Sequence, residues 1–221
     1  HWIHSHLELR DSDGVIQPGY GWIFPLGNGS VNLGCGALST DARPAKVNTK
    51  KLLELYASQQ RAAWSLGQTT SVASALLPMG GAVSNVSGPN WALIGDAAAC
   101  VNPLNGEGID YGLETARMAI GMLDDVKDLT LLWPYLLRSA YGNTFLLART
   151  LARVLTYPRF LGAVGPVGFR GPQSRILMPL AVRLMGNLVN DSDRDLVART
   201  WHAAGRARRA FSHRPLWEST L

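Results

Sequence analysis

The chain has 221 residues, 47% hydrophobic and 17% charged, with 21 Lys+Arg against 16 Asp+Glu and a net charge of +5. That composition supports a real hydrophobic core in one large or two small domains, and excludes disorder, collagen and coiled coil. Two cysteines, Cys35 and Cys100, are too few for a disulfide framework and point to a reducing compartment. In chain order, Trp2 to Arg10 alternates with period two, which predicts a half-buried strand with Ile3, Ser5, Leu7 and Leu9 on one side and the solvent-facing His4, His6, Glu8 and Arg10 on the other. Asp11-Ser-Asp-Gly14 reads as a turn. Tyr20 to Phe24 and Ser30 to Leu38 read as two strands joined by Gly27-Asn-Gly29, with Val31, Leu33, Cys35 and Ala37 on one face.

Asn48 or Thr49 can cap a helix from about Lys50 to Trp64, and Ser71 to Leu77 predicts a further strand. Trp91-Ala-Leu-Ile94 is a short apolar run that predicts a buried strand entering Gly95-Asp96, followed by a helix from about Gly108 to Leu123. Thr130 with Pro134 starts a helix to about Thr156, on which Arg138, Arg149 and Arg153 fall within about 60° of each other at ~100° per residue. After Tyr157-Pro158 and the Gly/Pro-rich stretch from Gly162 to Pro172, helices are expected from Gln173 to Val189 and through Trp201 to Arg209, the last opened by a capping box of Ser192 and Asp195. Charge divides along the chain: residues 1–137 carry 8 Lys+Arg and 12 Asp+Glu, residues 138–221 carry 13 Arg and 4 acidic residues. No stretch offers the ~18 apolar residues of a spanning helix. The chain begins at His1 with no signal or transit pattern, so a fragment or processed chain is expected.

The chemistry concentrates in Trp91 to Ile109. A strand ending in Gly95-Asp96 places one carboxylate at a sheet's carboxyl edge, suited to accept hydrogens from a polyol. Ala97, Ala98 and Ala99 leave the backbone approachable, and Pro103 fixes the loop that delivers Gly106-Glu107-Gly108 to a helix start, where backbone N–H groups at the positive end of the dipole favour an anionic or electron-rich edge. This stretch resembles the second flavin-binding motif of FAD-dependent oxidoreductases of the aromatic-hydroxylase superfamily. The resemblance implies that Gly95 and Asp96 meet the ribitol of FAD, and that Pro103, Gly106, Glu107, Gly108 and Ile109 approach the isoalloxazine.

Pro18-Gly-Tyr-Gly-Trp-Ile-Phe-Pro25 with Val31-Asn-Leu-Gly34 resembles the Pro-x-x-Tyr-x-Trp-x-Phe-Pro signature of geranylgeranyl reductases, one residue short between Pro18 and Tyr20. Leu77-Pro-Met-Gly-Gly81 resembles a segment those reductases carry near the cofactor. The one-residue departure suits the bacterial branch that reduces the isoprenoid tail of menaquinone. Tyr20, Trp22 and Phe24 alternate on one strand face and, with Pro25, would wall an apolar polyene slot; the competing reading is core aromatics under a helix. The superfamily's Gly-x-Gly-x-x-Gly pyrophosphate turn does not occur here.

These features predict an α+β fragment of an α/β FAD-binding fold: part of an antiparallel substrate-binding sheet domain over 1–82, the last strand and helix of the FAD-binding domain over 83–128, and a C-terminal helical region over 129–221. The expected activity is FAD-dependent saturation of an isoprenoid double bond, menaquinone favoured, at the inner face of the cell membrane from the cytoplasmic side. The electron donor and proton donor are not assigned. A flavin monooxygenase and a truncated lipid-surface or interaction module are the alternatives. His1, His4 and His6 lack the further ligands of a zinc site, so no metal is expected. Both cysteines read as buried spectators, and the arginine-rich tail lacks any nucleic-acid reader motif, so a membrane surface is the preferred partner.

Overall fold

The structure is a computed structural model that describes all residues except 1, 41, 123–125, 158–159, 161–162, 164–170, 186–188, 190–192, 212–215 and 219–221. Helices and small antiparallel sheets are mixed, as an α+β class requires. The chain divides into two units: His1–Ala75 with Arg153–Leu177, and Leu76–Ala152 with Met178–Leu221.

The first unit holds a three-stranded antiparallel sheet in the order β1-β2-β3, with β1 at His4–His6, β2 at Gly19–Pro25 and β3 at Val31–Ala37. The β2–β3 hairpin pairs Trp22 with Gly34 and Ile23 with Leu33. Its turn needs φ of +80° and +84° at Gly27 and Gly29, a region that only glycine enters without strain. Helix α1, Thr49–Trp64, starts at Asn48, whose side chain accepts from the Lys51 amide. It covers the face of the sheet that carries Gly21 and Ile23, closing a core of Leu9, Ile23, Leu52 and Tyr56.

That packing reverses the expected sides of the first strand. His4 meets Trp64 edge-on at 4.3 Å between ring centroids, His6 meets Tyr56 and is hydrogen-bonded through Nδ1 to its hydroxyl, and Ile3 and Ser5 are exposed. The strand spans three residues rather than nine, and Leu9 reaches the core only beyond an irregular step at Leu7 and Glu8. Helix α1 supplies two aromatic rings that accommodate an imidazole, so period two was right and the choice of inner face was not.

In the second unit, β4 (Ser87–Gly88) and β5 (Trp91–Ala92) form a two-residue antiparallel pair. A 3-10 turn at Gly95–Ala98 leads to α2 (Ile109–Ile120) and α3 (Leu132–Leu155). Helices α4 (Ser174–Met185) and α5 (Leu196–Ala210) follow, α4 straddling the division between the units. The core gathers Val86, Cys100, Tyr111, Trp133, Leu137, Tyr141, Phe145 and Trp217. Trp133 donates its indole N–H to the Leu93 carbonyl, and Gly205 of α5 lies so close to the Asn143 carbonyl of α3 that an added Cβ would sit 2.9 Å from it.

Three further expectations are corrected. Residues 71–77 form no strand and have no sheet partner among the described residues, with Leu76 98% exposed. Trp91 to Ile94 is a two-residue edge strand, with Trp91 and Ile94 exposed rather than buried, because β4 is its one hydrogen-bonded neighbour among the described residues. Helix α5 is capped by Asp195, which accepts from the Val197 and Ala198 amides, three residues later than a capping box begun at Ser192; Ser192 itself lies outside the described residues.

Candidate functional site

In the second unit, residues of the sequence motif come together through short-range backbone bonds. Gly95 turns with φ +54°, its amide donates to Thr115 Oγ1 on α2, and an added Cβ would lie 3.3 Å from the Gly112 Cα. The turn closes with Ala99 at φ +52°, its amide donating to the Asp96 carbonyl, while the Cys100 amide donates to the Gly95 carbonyl. The following loop folds on itself: the Gly106 amide donates to the Asn102 carbonyl, and the Asn102 amide to the Glu107 carbonyl. Gly106 requires φ +73°, and Pro103, within this loop, is buried.

These bonds set the exposed Asp96 carboxylate against the start of α2. A Cβ on Gly108 would lie 2.6 Å from Asp96 Oδ1 and 3.1 Å from Val101 Cγ2, so the absence of a side chain there is what lets the carboxylate lie over the helix start. Gly108 is the N-terminal cap and makes no side-chain cap bond; Glu107 Oε1 instead accepts from the Asp110 amide. The amides of Gly108 and Ile109 have no protein acceptor among the described residues, and Ile109 is 79% exposed. Glu107 Oε2 is buried without a hydrogen-bond partner.

Two segments support this turn: Leu77 to Gly81, which the sequence suggested by resemblance alone, and Trp217, which sequence reasoning missed. The Gly80 amide donates to the Val101 carbonyl and the Gly81 amide to the Ala99 carbonyl, which ties the Leu77 to Gly81 segment directly to the Asp96 turn. Trp217, 1% exposed and 119 residues from its partner, donates its indole N–H to the Ala98 carbonyl at 2.6 Å and packs near Gly81 and Phe145. Arg138 donates to the Leu216 and Trp217 carbonyls and Arg149 to that of Gly80, so two arginines expected on one basic face act inside the fold. The paired glycines at 80 and 81 were a local signal for close backbone approach; nothing local signalled Trp217.

Burial governs the titratable groups nearby. The Cys100 thiol is fully buried and pushed up to about 12 by desolvation and by Asp96, which keeps it protonated and unreactive. Burial likewise raises Tyr111 and Tyr141, the latter donating to Glu114 Oε2 at 2.9 Å. In the first unit, burial raises the Cys35 thiol and lowers His6, which also feels His4. Among the described residues no cluster of His, Cys, Asp and Glu could hold a metal ion.

The aromatic residues predicted for substrate lie in that first unit, on the face of β2 opposite the one covered by α1. Tyr20, Trp22 and Phe24 are half-buried and Pro25 is exposed; the rings follow one another at 5.7 Å and 6.1 Å between centroids. Trp22 lies flat across Gly34 of β3, where a Cβ would stand 2.2 Å from its ring, and its indole N–H donates to Asn32 Oδ1. The rings therefore form a wall beside the core rather than packing under the helix. The Asp96 to Ile109 group and this wall belong to different units.

Sequence comparison places the chain in the geranylgeranyl reductase family, on its menaquinone-reductase-like side. It is 59% identical over 215 residues to a menaquinone reductase of Mycobacterium tuberculosis, covering 97% of this chain and 52% of that protein. It is 56% identical over 216 residues to a menaquinone reductase of Mycolicibacterium smegmatis, covering 96% and 52%. A more distant relative is digeranylgeranylglycerophospholipid reductase 3 of Methanosphaera stadtmanae, 34% identical over 107 residues, covering 48% of this chain and 26% of the relative. The chain thus spans about half the length of the first two. No protein-family model and no solved structure matches it.

Proposed function

We propose that this chain is the C-terminal half of an FAD-dependent reductase that saturates an isoprenoid double bond of a polyprenyl lipid, menaquinone being the favoured substrate. The observation that carries the reading is the Asp96 carboxylate lying over Gly108 beside the open amides of Gly108 and Ile109. These residues suit FAD: an exposed carboxylate accepts ribitol hydroxyl hydrogens, two open amides at a helix start donate to the pyrimidine edge, and no Cβ intrudes. Gly95, Pro103 and Gly106 hold the backbone path, and Glu107 fixes the first turn of α2 through the Asp110 amide. FAD, when bound, supplies the hydride chemistry. The chain's own part is to position that group and, through Tyr20, Trp22, Phe24 and Pro25, to line an apolar slot for the tail. In this reading residues 83–128 complete the FAD-binding domain, residues 1–82 contribute to the substrate sheet, and residues 129–221 form a helical tail.

Because a polyprenyl quinone resides in the bilayer, the proposed enzyme works peripherally at the inner face of the cell membrane. No helix among the described residues is long and apolar enough to cross one. With Arg138 and Arg149 bonded internally, the docking proposed here draws on exposed apolar residues of α4, Ile176, Leu177 and Val182, with Arg175; of Phe160, Leu161 and Phe169, which also suit it, Phe160 is half-buried and the other two lie outside the described residues. Co-sedimentation with anionic vesicles that weakens with salt is expected, and absence of binding at low salt would refute the docking.

The cofactor test is Asp96→Ala in a full-length protein. Loss of a charge-assisted acceptor worth ~1.5–3 kcal/mol predicts FAD affinity weaker by about 10- to 150-fold, with folding retained because the carboxylate is exposed. Wild-type affinity in the variant would remove Asp96 from the site.

A further inference from the structure

Glu107 uses one carboxylate oxygen and leaves the other idle. Oε1 accepts from the Asp110 amide, while Oε2 is buried and has no hydrogen-bond partner among the described residues. One turn on, Tyr111 is 1% exposed and its hydroxyl is likewise unpartnered. Each orphaned atom carries a desolvation penalty that a bond between the two, or a water shared by them, would remove. Burial, then Glu107, Glu114 and Asp110, hold the Tyr111 phenol in its protonated form, so it offers a donor where Glu107 has an acceptor to fill. Beyond Tyr111 lies a link to solvent. Its ring meets that of Tyr141 edge-on, 5.3 Å between centroids, and Tyr141 donates to the exposed Glu114 of α2 at 2.9 Å. The charged groups around Glu107 are Asp96, set over Gly108, with Asp110 and Glu114 on α2, and Arg149 of α3 packed with Pro103 at Gly80. Asp96, Asp110 and Glu114 are exposed, where water screens them; Glu107 Oε2 is not.

We propose that Glu107 takes up a proton when a flavin bound at this site is reduced, and holds it on Oε2 beside Tyr111 until the flavin is oxidised again. This inference rests on the FAD reading proposed above. Two electrons from a donor bring negative charge to the start of α2, and the carboxylate oxygen that water cannot screen is the one a proton neutralises at least cost. The balance suits saturation of a double bond. Two electrons and two protons enter, one proton on the ring and one on Glu107; a hydride and a proton then leave, which is what a C=C bond gains.

The test is the midpoint potential of FAD in a full-length protein as a function of pH, wild type against Glu107→Gln. The glutamine keeps a carbonyl oxygen for the Asp110 amide, so folding and FAD binding should persist. A proton carried with two electrons shifts the potential by ~30 mV for each tenfold change in proton concentration. The wild type should therefore be steeper than the variant by ~30 mV per pH unit over part of the range from about pH 5 to about pH 9. Equal slopes with FAD bound would overturn this inference and leave the cofactor reading standing; a wild type that binds no FAD would overturn both. A second readout needs no flavin. In urea unfolding of the apoprotein, the losses from Tyr111→Phe and Glu107→Gln should combine to less than their sum, because both remove the same contact. Additive losses, or a Tyr111→Phe variant more stable than wild type as the removal of an idle buried hydroxyl would give, would contradict the pairing and with it the proposal.

Discussion

Gly108→Ala acts on the candidate site through a single added carbon. The new Cβ would stand 2.6 Å from Asp96 Oδ1 and 3.1 Å from Val101 Cγ2. The carboxylate is the end of an exposed side chain and can swing away; Val101 is fully buried and yields only by a few tenths of an ångström. Left-handed backbone strain does not enter, because φ at Gly108 is negative, −138°. Alanine is a poorer N-cap than glycine, so folding should lose ~0.5–1 kcal/mol. The larger effect falls on the cofactor: displacing the carboxylate forfeits a charge-assisted bond worth ~1.5–3 kcal/mol, about 10- to 150-fold in FAD affinity. Titration of the full-length apoprotein with FAD, followed by flavin fluorescence, gives the number. A double-mutant cycle gives the mechanism: since Gly108→Ala acts by moving Asp96, adding it to Asp96→Ala should cost little more. Fully additive losses, or unchanged affinity in Gly108→Ala, would refute the reasoning.

Trp217→Phe keeps a ring beside Phe145 but leaves the buried Ala98 carbonyl without its donor, which should cost ~1–3 kcal/mol in urea unfolding, against ~3–5 kcal/mol for Trp217→Ala; an unchanged midpoint in both would detach the tail from the site. Trp22→Ala should slow turnover of a long polyprenyl quinone while leaving flavin reduction by an electron donor intact, since the ring contributes apolar contact of at most ~3 kcal/mol; equal damage to both half-reactions would assign Trp22 to packing. The bonds from Arg183 and the Val197 and Ala198 amides hold Asp195 down at about 2. A lowered carboxylate stabilises above its ordinary value of 3.8 and ceases to as pH falls toward 2, so helical circular dichroism should decline across that interval in the wild type and not in Asp195→Asn; identical acid profiles would count against the cap. His6, lowered by burial, favours its neutral form, so the β1–α1 packing should hold above pH 6.5 and weaken as pH falls below it; a Tyr56 fluorescence signal that stays flat from about pH 7.5 to about pH 5 would argue against that.

What the sequence made legible was what local bonding decides. The Gly27-Asn-Gly29 hairpin, the Asn48 cap and the chain order of the helices follow from φ preferences and capping, which act over a few residues. The turns within Asp96 to Ile109 follow for the same reason, from backbone bonds inside the run such as Ala99 to Asp96 and Gly106 to Asn102, while the bonds from Gly80, Gly81 and Trp217 that support it do not. Position across space was not readable. Period two in Trp2 to Arg10 cannot state which side meets a helix, and α1 happened to offer Tyr56 and Trp64 to the histidines. Ser71 to Leu77 and Trp91 to Ile94 have strand-like composition, yet a strand needs a neighbour to pair with. Trp217 supports Ala98 across 119 residues, a distance over which no local pattern carries information.

The most direct measurement of the central claim is the mass of the product. A full-length protein loaded with FAD, reduced without oxygen and then given menaquinone should return a quinone heavier by two hydrogens in its isoprenoid tail, with the ring unchanged. A product heavier by one oxygen under aerobic turnover would instead mark a flavin monooxygenase, and unaltered menaquinone with fully reduced, stoichiometric flavin would contradict the assignment of the substrate.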